Sequence, residues 1–175
     1  GPQGLQPQAD LYFRNEGGLF AEASMAQGFE AKPGFGLGVI DGDFNEDGWP
    51  DLYVSNDSTP NFLFLSDGEG GVQERGLLSG AALSSRGREQ AGMGLAAGDL
   101  TGNQHEDLLV TNFSMEPNAL YLNDGQAHFE DDSDPSGIGG SSRKRLGWGA
   151  AFVDVDLDGD LDVITANGHV YYQAD

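Results

Sequence analysis

The chain has 175 residues, enough for one sizeable core or for a few repeat units that share one. Eight Lys and Arg stand against 29 Asp and Glu, a formal net charge of −21, which argues against nucleic acid or an anionic membrane surface as partner. Cysteine is absent, which excludes disulfides, thiolate metal sites and thiol nucleophiles, and no stretch approaches the ~18 apolar residues that span a bilayer.

Residues 1–9 lack periodicity and read as a flexible linker, with the repeat domain over 10–175. Leu11–Phe20 reads as strand, glycine turn, strand, and the same hairpin returns at Leu63–Val72 and Leu120–Phe129. A fourth begins at His169-Val170-Tyr171-Tyr172. Between hairpins run connections at 23–34, 75–91 and 131–146, rich in Gly, Ser and Ala and expected to be surface crossovers. After each comes a glycine-rich apolar strand, at 35–40, 93–98 and 148–153, whose small residues imply close packing at a crowded centre. Second strands follow at 51–56, 107–112 and 162–167. One period thus contains four short strands, the content of a propeller blade, and 28 glycines suit so turn-dense an all-β chain. No segment sustains a capped helical stripe, so almost no helix is expected.

The loops between the first two strands carry the chemistry. Asp154, Asp156, Asp158 and Asp162 occupy positions 1, 3, 5 and 9 of a nine-residue loop with Gly159 at position 6. Alternate side chains around a tight turn bring hard oxygen donors to one point, which suits Ca²⁺. Carboxylates roughly 4 Å apart repel by about 1 kcal/mol per pair at water's dielectric and about 4 kcal/mol at an effective dielectric near 20, so the loop calls for a cation. The same pattern stands at Asp43, Asn45, Asp47 and Asp51 with Gly48, and a weaker copy at Asp99, Thr101, Asn103 and Asp107, where Gln104 takes the glycine's place. The loops begin 56 and 55 residues apart and hold 12 of the 29 acidic residues. Three Ca²⁺ ions would offset six of the 21 negative charges, and folding is expected to depend in part on metal. An EF-hand is rejected: position 12 is Val54, Val110 and Thr165 where that motif needs Glu, and strands flank each loop.

With Gly-x-Gly before the loop, Asp-x-Asp-x-Asp-Gly-x-x-Asp followed by apolar residues and an Asn, and the Leu-Tyr-x-Asn-x-Gly hairpin, the chain resembles the FG-GAP/VCBS repeats of calcium-bearing β-propellers. Within that group it is most similar to the cartilage acidic protein-like family (ASPIC/UnbV-associated). The resemblance covers about residues 10–173 and implies β-propeller-type blades, about three repeats of ~55 residues, forming a partial propeller or arc. It further implies ligation by the side chains of Asp154, Asp156, Asp158 and Asp162 and the carbonyl of Asp160. In the first loop the matching positions are Asp43, Asn45, Asp47, Asp51 and the carbonyl of Trp49. In the middle loop they are Asp99, Thr101, Asn103, His105 and Asp107, the weakest of the three sites. Three periods are fewer than the four to eight blades of a closed ring, so a fragment of a longer propeller or an assembly-dependent arc with open edges is expected.

The remaining features have plainer readings. His105, His128 and His169 are scattered and read as surface or turn residues. Trp49, Trp148, Tyr121, Tyr171 and Tyr172 could stack sugars, but packing between blades is the expectation. Arg143-Lys144-Arg145 could grip an acidic partner, but hydrogen bonding to neighbouring carboxylates is expected in so negative a chain. No Gly-x-Ser-x-Gly elbow, phosphate loop, His-Glu-x-x-His or Cys-His pair occurs, so no enzyme is indicated. The expectation is a non-enzymatic Ca²⁺-binding module, extracellular, on the cell surface or periplasmic, for adhesion, assembly or ligand binding. Its partner would be a protein or a carbohydrate, with self-assembly through blade edges as a further possibility. The alternatives are the propeller of a secreted polysaccharide-active enzyme and a subunit of a larger extracellular assembly.

Overall fold

The computed structural model describes residues 2, 4–29 and 33–170. Tyr171 and Tyr172, read above as part of a fourth hairpin, lie outside them. The chain is a row of antiparallel sheets. Strands β1 (Phe13–Asn15) and β2 (Phe20–Glu22) form a hairpin. Then β3 (Gly36–Gly42), β4 (Asp51–Asn56), β5 (Phe62–Ser66) and β6 (Val72–Glu74) form a four-stranded blade in sequence order. A second blade repeats it with β7 (Gly92–Gly98), β8 (Asp107–Asn112), β9 (Ala119–Asn123) and β10 (Phe129–Asp131). Strands β11 (Gly147–Val153) and β12 (Asp162–Asn167) pair as the first half of a third blade. Gln8, in the segment expected to be a linker, bridges to Gly34.

Burial explains why these strands do not alternate cleanly. The apolar side chains of β4, β5, β8 and β9 are packed on both sheet faces, and all six residues of β8 are buried. Between the two blades lies a core of Phe44, Tyr53, Leu63, Leu108, Val110, Tyr121 and Phe129. On the far side of the second blade, Leu109 and Leu120 pack with Ile138, Phe152 and Val163. By contrast β12 alternates at the start, with Val163 half-buried and Ile164 exposed, because among the described residues only one of its faces is covered.

The inner strands show why glycine recurs. A Cβ on Gly38 would lie 2.4 Å from the Met93 carbonyl oxygen, and one on Gly94 would lie 2.5 Å from that of Trp148. Each glycine therefore seats directly on the backbone of the next inner strand. The pairing also slips once in each blade, between Gly36 and Gly38, Gly92 and Leu95, and Gly147 and Gly149, a bulge repeated at one place in the period. A hydroxyl closes the same seam, Ser55 Oγ donating to the Met93 carbonyl of the next blade at 2.6 Å, while within the second blade Gly94 N–H donates to Thr111 Oγ1 at 2.9 Å.

Helix is as scarce as expected, and two other expectations need correction. Each connection contains one helical turn, α1 (Ser24–Gln27), α2 (Gly76–Ser79) and α3 (Ile138–Ser142), too short to show a periodic stripe in sequence. Nor are the connections merely superficial: Ala81 and Leu146 are buried, and Tyr53 Oη donates to the Ala81 carbonyl at 2.6 Å. Trp49 and Trp148 are half exposed, 51% and 48%, and are not core residues, whereas Tyr121 is buried as expected.

Candidate metal centre

Each nine-residue loop joins the first strand of a blade to the second strand of the same blade. Its first residue acts as a hub. Asp43 accepts from the N–H of Asp47 at 3.1 Å and of Gly48 at 2.9 Å. Asp99 accepts from Asn103 at 2.9 Å and Gln104 at 2.8 Å, and Asp154 from Asp158 at 3.2 Å and Gly159 at 3.0 Å. The residue at position 5 then accepts from the N–H at position 7: Asp47 from Trp49 at 2.9 Å, Asn103 from His105 at 2.9 Å and Asp158 from Asp160 at 3.0 Å. Three sequences thus fold to one wiring diagram.

The middle loop keeps that shape without glycine at position 6. Positions 4 and 6 are left-handed in the first loop at Glu46 and Gly48 (φ 58° and 86°) and in the third at Leu157 and Gly159 (φ 62° and 100°). In the middle loop they are Gly102 and Gln104, both at φ 73°. The glycine has moved to position 4 and the strain to position 6. Substitution at position 6 has therefore not altered the backbone.

The aspartate at position 9 differs from the rest. Asp51 and Asp107 are fully buried, and each accepts two backbone N–H groups. Asp51 takes those of Phe44 at 3.0 Å and Ser66 at 2.8 Å, and Asp107 those of Leu100 at 3.1 Å and Asn123 at 3.0 Å. Each carboxylate ties its loop to the third strand of its blade. Burial pushes both carboxyls up despite these bonds, and neighbouring Asp43 and Asp47 push Asp51 the same way, as Asp99 does Asp107. Asp162 is exposed and, among the described residues, accepts only from Val155 N–H, at 3.1 Å.

The third loop brings Asp154, Asp156 and Asp162 together, with carboxylate oxygens all within 4.8 Å of one another. Among the described residues the other two loops hold no acidic trio that close. In the first loop Asp47 is held by Asn45 Nδ2 at 2.9 Å, and the middle loop has only two aspartates at the expected positions, Asp99 and Asp107. Thr101 and Asn103 supply neutral oxygens there. The donors are carboxylate, amide, hydroxyl and carbonyl oxygens throughout, a hard set that fits Ca²⁺ better than a soft metal.

Position 7 carries a role that spacing alone does not reveal. The Trp49 ring lies on Gly68, where a Cβ would come within 2.5 Å of Nε1, and the His105 ring lies on Gly125, where it would come within 2.6 Å of Nδ1. Each ring caps its own blade's hairpin. His105 also contacts Glu46 of the preceding loop, and Glu106 Oε2 accepts from Asp43 N–H at 3.1 Å, so the first two loops are linked directly. Glu46 and Glu106 were not singled out in the sequence. The only hint is that an acid stands at position 8 where the other loops have Pro50 and Leu161. His128 lies by Asp124 in the second hairpin, 3.3 Å away.

Comparison with known proteins agrees with this repeat geometry. A 123-residue stretch is 28% identical to mouse cartilage acidic protein 1, covering 66% of this chain and 19% of that protein, so the chain spans about a fifth of that relative. The FG-GAP-like repeat matches residues 43–110 and again 99–165, each span running from one loop into the blade that follows, and the chain belongs to that repeat family.

Proposed function

We propose that the chain is a non-enzymatic, extracellular calcium-binding module whose ions staple the first two strands of each blade while its rim contacts a protein or carbohydrate ligand. The convergence of Asp154, Asp156 and Asp162 carries the reading. Asp158 and the Asp160 carbonyl would complete that site. Asp43, Asn45, Asp47, Asp51 and the Trp49 carbonyl would form the first. Asp99, Thr101, Asn103, Asp107 and the His105 carbonyl would form a weaker middle site with one anionic side chain fewer at the ligand positions. Bound calcium supplies the positive charge that these clustered carboxylates lack. The protein's own contribution is a loop whose hub aspartate already fixes the backbone.

Extracellular placement is supported by the cartilage named in the mouse relative and by the abundance of free calcium outside cells. No helix among the described residues is long and apolar enough to cross a membrane. The test is a thermal melt in millimolar calcium and in EDTA. A filled site at about 1,000 times its Kd adds about 4.1 kcal/mol, so chelation should lower the midpoint by many degrees. An unchanged midpoint would refute calcium binding.

A second reading, self-association, rests on the outer faces of the row. Val153 and Ile164 at one end, and Leu37 and Val39 at the other, are exposed apolar strand residues. Either further blades or another copy would cover them. Sedimentation of the 175-residue chain in calcium decides: discrete oligomers support assembly, and a monomer at all concentrations rejects it.

A further inference from the structure

We propose that the end of the row opposite the metal loops carries a binding cleft for a sparsely charged acidic saccharide, formed by Arg143, Lys144 and Arg145 beside Trp148. This deepens the ligand-binding reading above and rests on it, but it does not depend on calcium. The strand order puts the loops and hairpins at one end of each blade and the crossovers at the other. Seven of the eight basic residues fall in the connections at 23–34, 75–91 and 131–146, Arg86, Arg88, Arg143, Lys144 and Arg145 among them. The acidic loops lie at the far end, and the chain is therefore electrically polarised despite its overall charge.

The expected pairing of Arg143-Lys144-Arg145 with neighbouring carboxylates does not occur. All three side chains are exposed, and none makes an ion pair among the described residues. They border a cleft of about 760 Å³ that no carboxylate lines among the described residues. Arg143 also borders a neighbouring cleft lined by Glu89, Glu116, Asp131 and Asp134, but the cleft that all three cations share has no carboxylate among the described residues, which leaves it complementary to an external anion.

The segment is also held in place. Met115 N–H donates to the Arg143 carbonyl at 2.8 Å, Arg145 N–H to the Ser142 carbonyl at 2.7 Å, and Gly168 N–H to the Leu146 carbonyl at 3.0 Å. Asn118 N–H donates to the buried Ser142 hydroxyl at 2.8 Å. The backbone is fixed on both sides, so ordering the site on binding costs little beyond the side chains.

The neutral wall selects the ligand class. Ser114, Ser141 and Asn167 line the cleft with hydroxyl and amide groups suited to sugar hydroxyls. Next to it stands Trp148, 48% exposed, its ring oriented by an Nε1–H bond to the Gly168 carbonyl at 2.7 Å. An aromatic face next to cations and neutral donors fits a sugar ring bearing a carboxylate or sulfate. The net charge of −21 repels dense polyanions at long range, which favours a glycan with about one charge per one or two sugars.

The test is titration calorimetry of the 175-residue chain in calcium with three probes: a tetrasaccharide alternating hexuronate and N-acetylhexosamine, a neutral N-acetylglucosamine tetramer, and tetraglutamate. The uronate tetrasaccharide should bind, the neutral one should not, and tetraglutamate should bind more weakly. Affinity should fall about tenfold per cation removed in the series Arg143→Ser, Lys144→Ser, Arg145→Ser, and weaken with salt. The charge-matched control Arg14→Ser should bind normally. In a Trp49→Phe chain, Trp148 is the sole tryptophan, and its fluorescence should shift on binding. That readout and the salt titration decide the matter even if the triple variant folds poorly. Absence of uronate binding, binding indifferent to the three cations, a silent Trp148, or preference for tetraglutamate would each overturn the proposal. A failed calcium melt with intact saccharide binding would remove only the calcium reading.

Discussion

Replacing Gly94 with Ala isolates the inter-blade seam. The residue is not in the left-handed region, so alanine meets no backbone penalty. What it meets is the neighbouring strand: the new Cβ would stand 2.5 Å from the Trp148 carbonyl oxygen, 2.6 Å from Gly149 Cα and 2.8 Å from Gly149 N. Ordinary contact begins at 3.4 Å, so two paired sheets must part by about 0.9 Å, and none of the opposing atoms belongs to a flexible side chain. Overpacking of this kind costs about 1–3 kcal/mol, and rigid backbone on both sides puts Gly94→Ala at about 3 kcal/mol. Gly149 is the internal control, because a Cβ there reaches only Ala166 Cβ, at 3.7 Å. Gly149→Ala should be neutral or stabilise by about 0.4–1 kcal/mol through the unfolded chain. Urea melts of the two variants in calcium, compared at unchanged m, give the answer. If Gly94→Ala costs under about 0.5 kcal/mol, or Gly149→Ala costs as much as Gly94→Ala, glycine is not there to seat one blade on the next.

Other substitutions test the loops and the crossover. Gln104→Gly should stabilise the chain by about 0.5–1 kcal/mol by relieving the left-handed glutamine, read from the same urea melts. Asp107→Ala leaves the Leu100 and Asn123 N–H groups unpaired and should cost about 3 kcal/mol even in EDTA, and more in calcium, where a ligand of the middle site is lost as well. Asp162→Ala should cost little in EDTA but remove much of the calcium-dependent gain, so equal losses under both conditions would contradict its role as a ligand. Asp131 provides a pH test. Burial raises its carboxyl, but bonds from Ser133 and Ser85 outweigh that and hold it below the usual 3.8. Its contribution is therefore complete above the unfolded value and is lost as pH falls through the lower folded value. The stability gap between the native chain and Asp131→Asn should be constant from about pH 5 to 7 and close below about pH 4.

Much of this architecture was legible because a repeat states itself several times. The expected second strands, 51–56, 107–112 and 162–167, coincide with β4, β8 and β12. Their position 9 aspartates and apolar runs mark the boundaries unambiguously. The helical turns were not legible, since four or five residues carry no periodicity. The backbone at Gln104 was not legible for a different reason: a sequence pattern records residue types, whereas the loop has two left-handed positions and takes glycine at either. Trp49 and Trp148 were misjudged because aromatic residues at matched places suggest a shared core, while one ring caps a hairpin glycine and the other stands beside a cleft.

The two roles of aspartate within one loop explain how a metal site and a blade can be one object. Position 1 gathers N–H groups of the turn, and position 9 reaches past the turn to the third strand through Ser66 or Asn123. A cation held between them would draw on a carboxylate whose other contacts belong to the sheet. Burial already disfavours charge at Asp51 and Asp107, so a nearby cation would favour the ionised form that both N–H bonds require. Loop, hairpin and seam would then respond to calcium together, with the Glu46–His105 contact and the Glu106 bond to Asp43 N–H relaying that response from the first blade to the second.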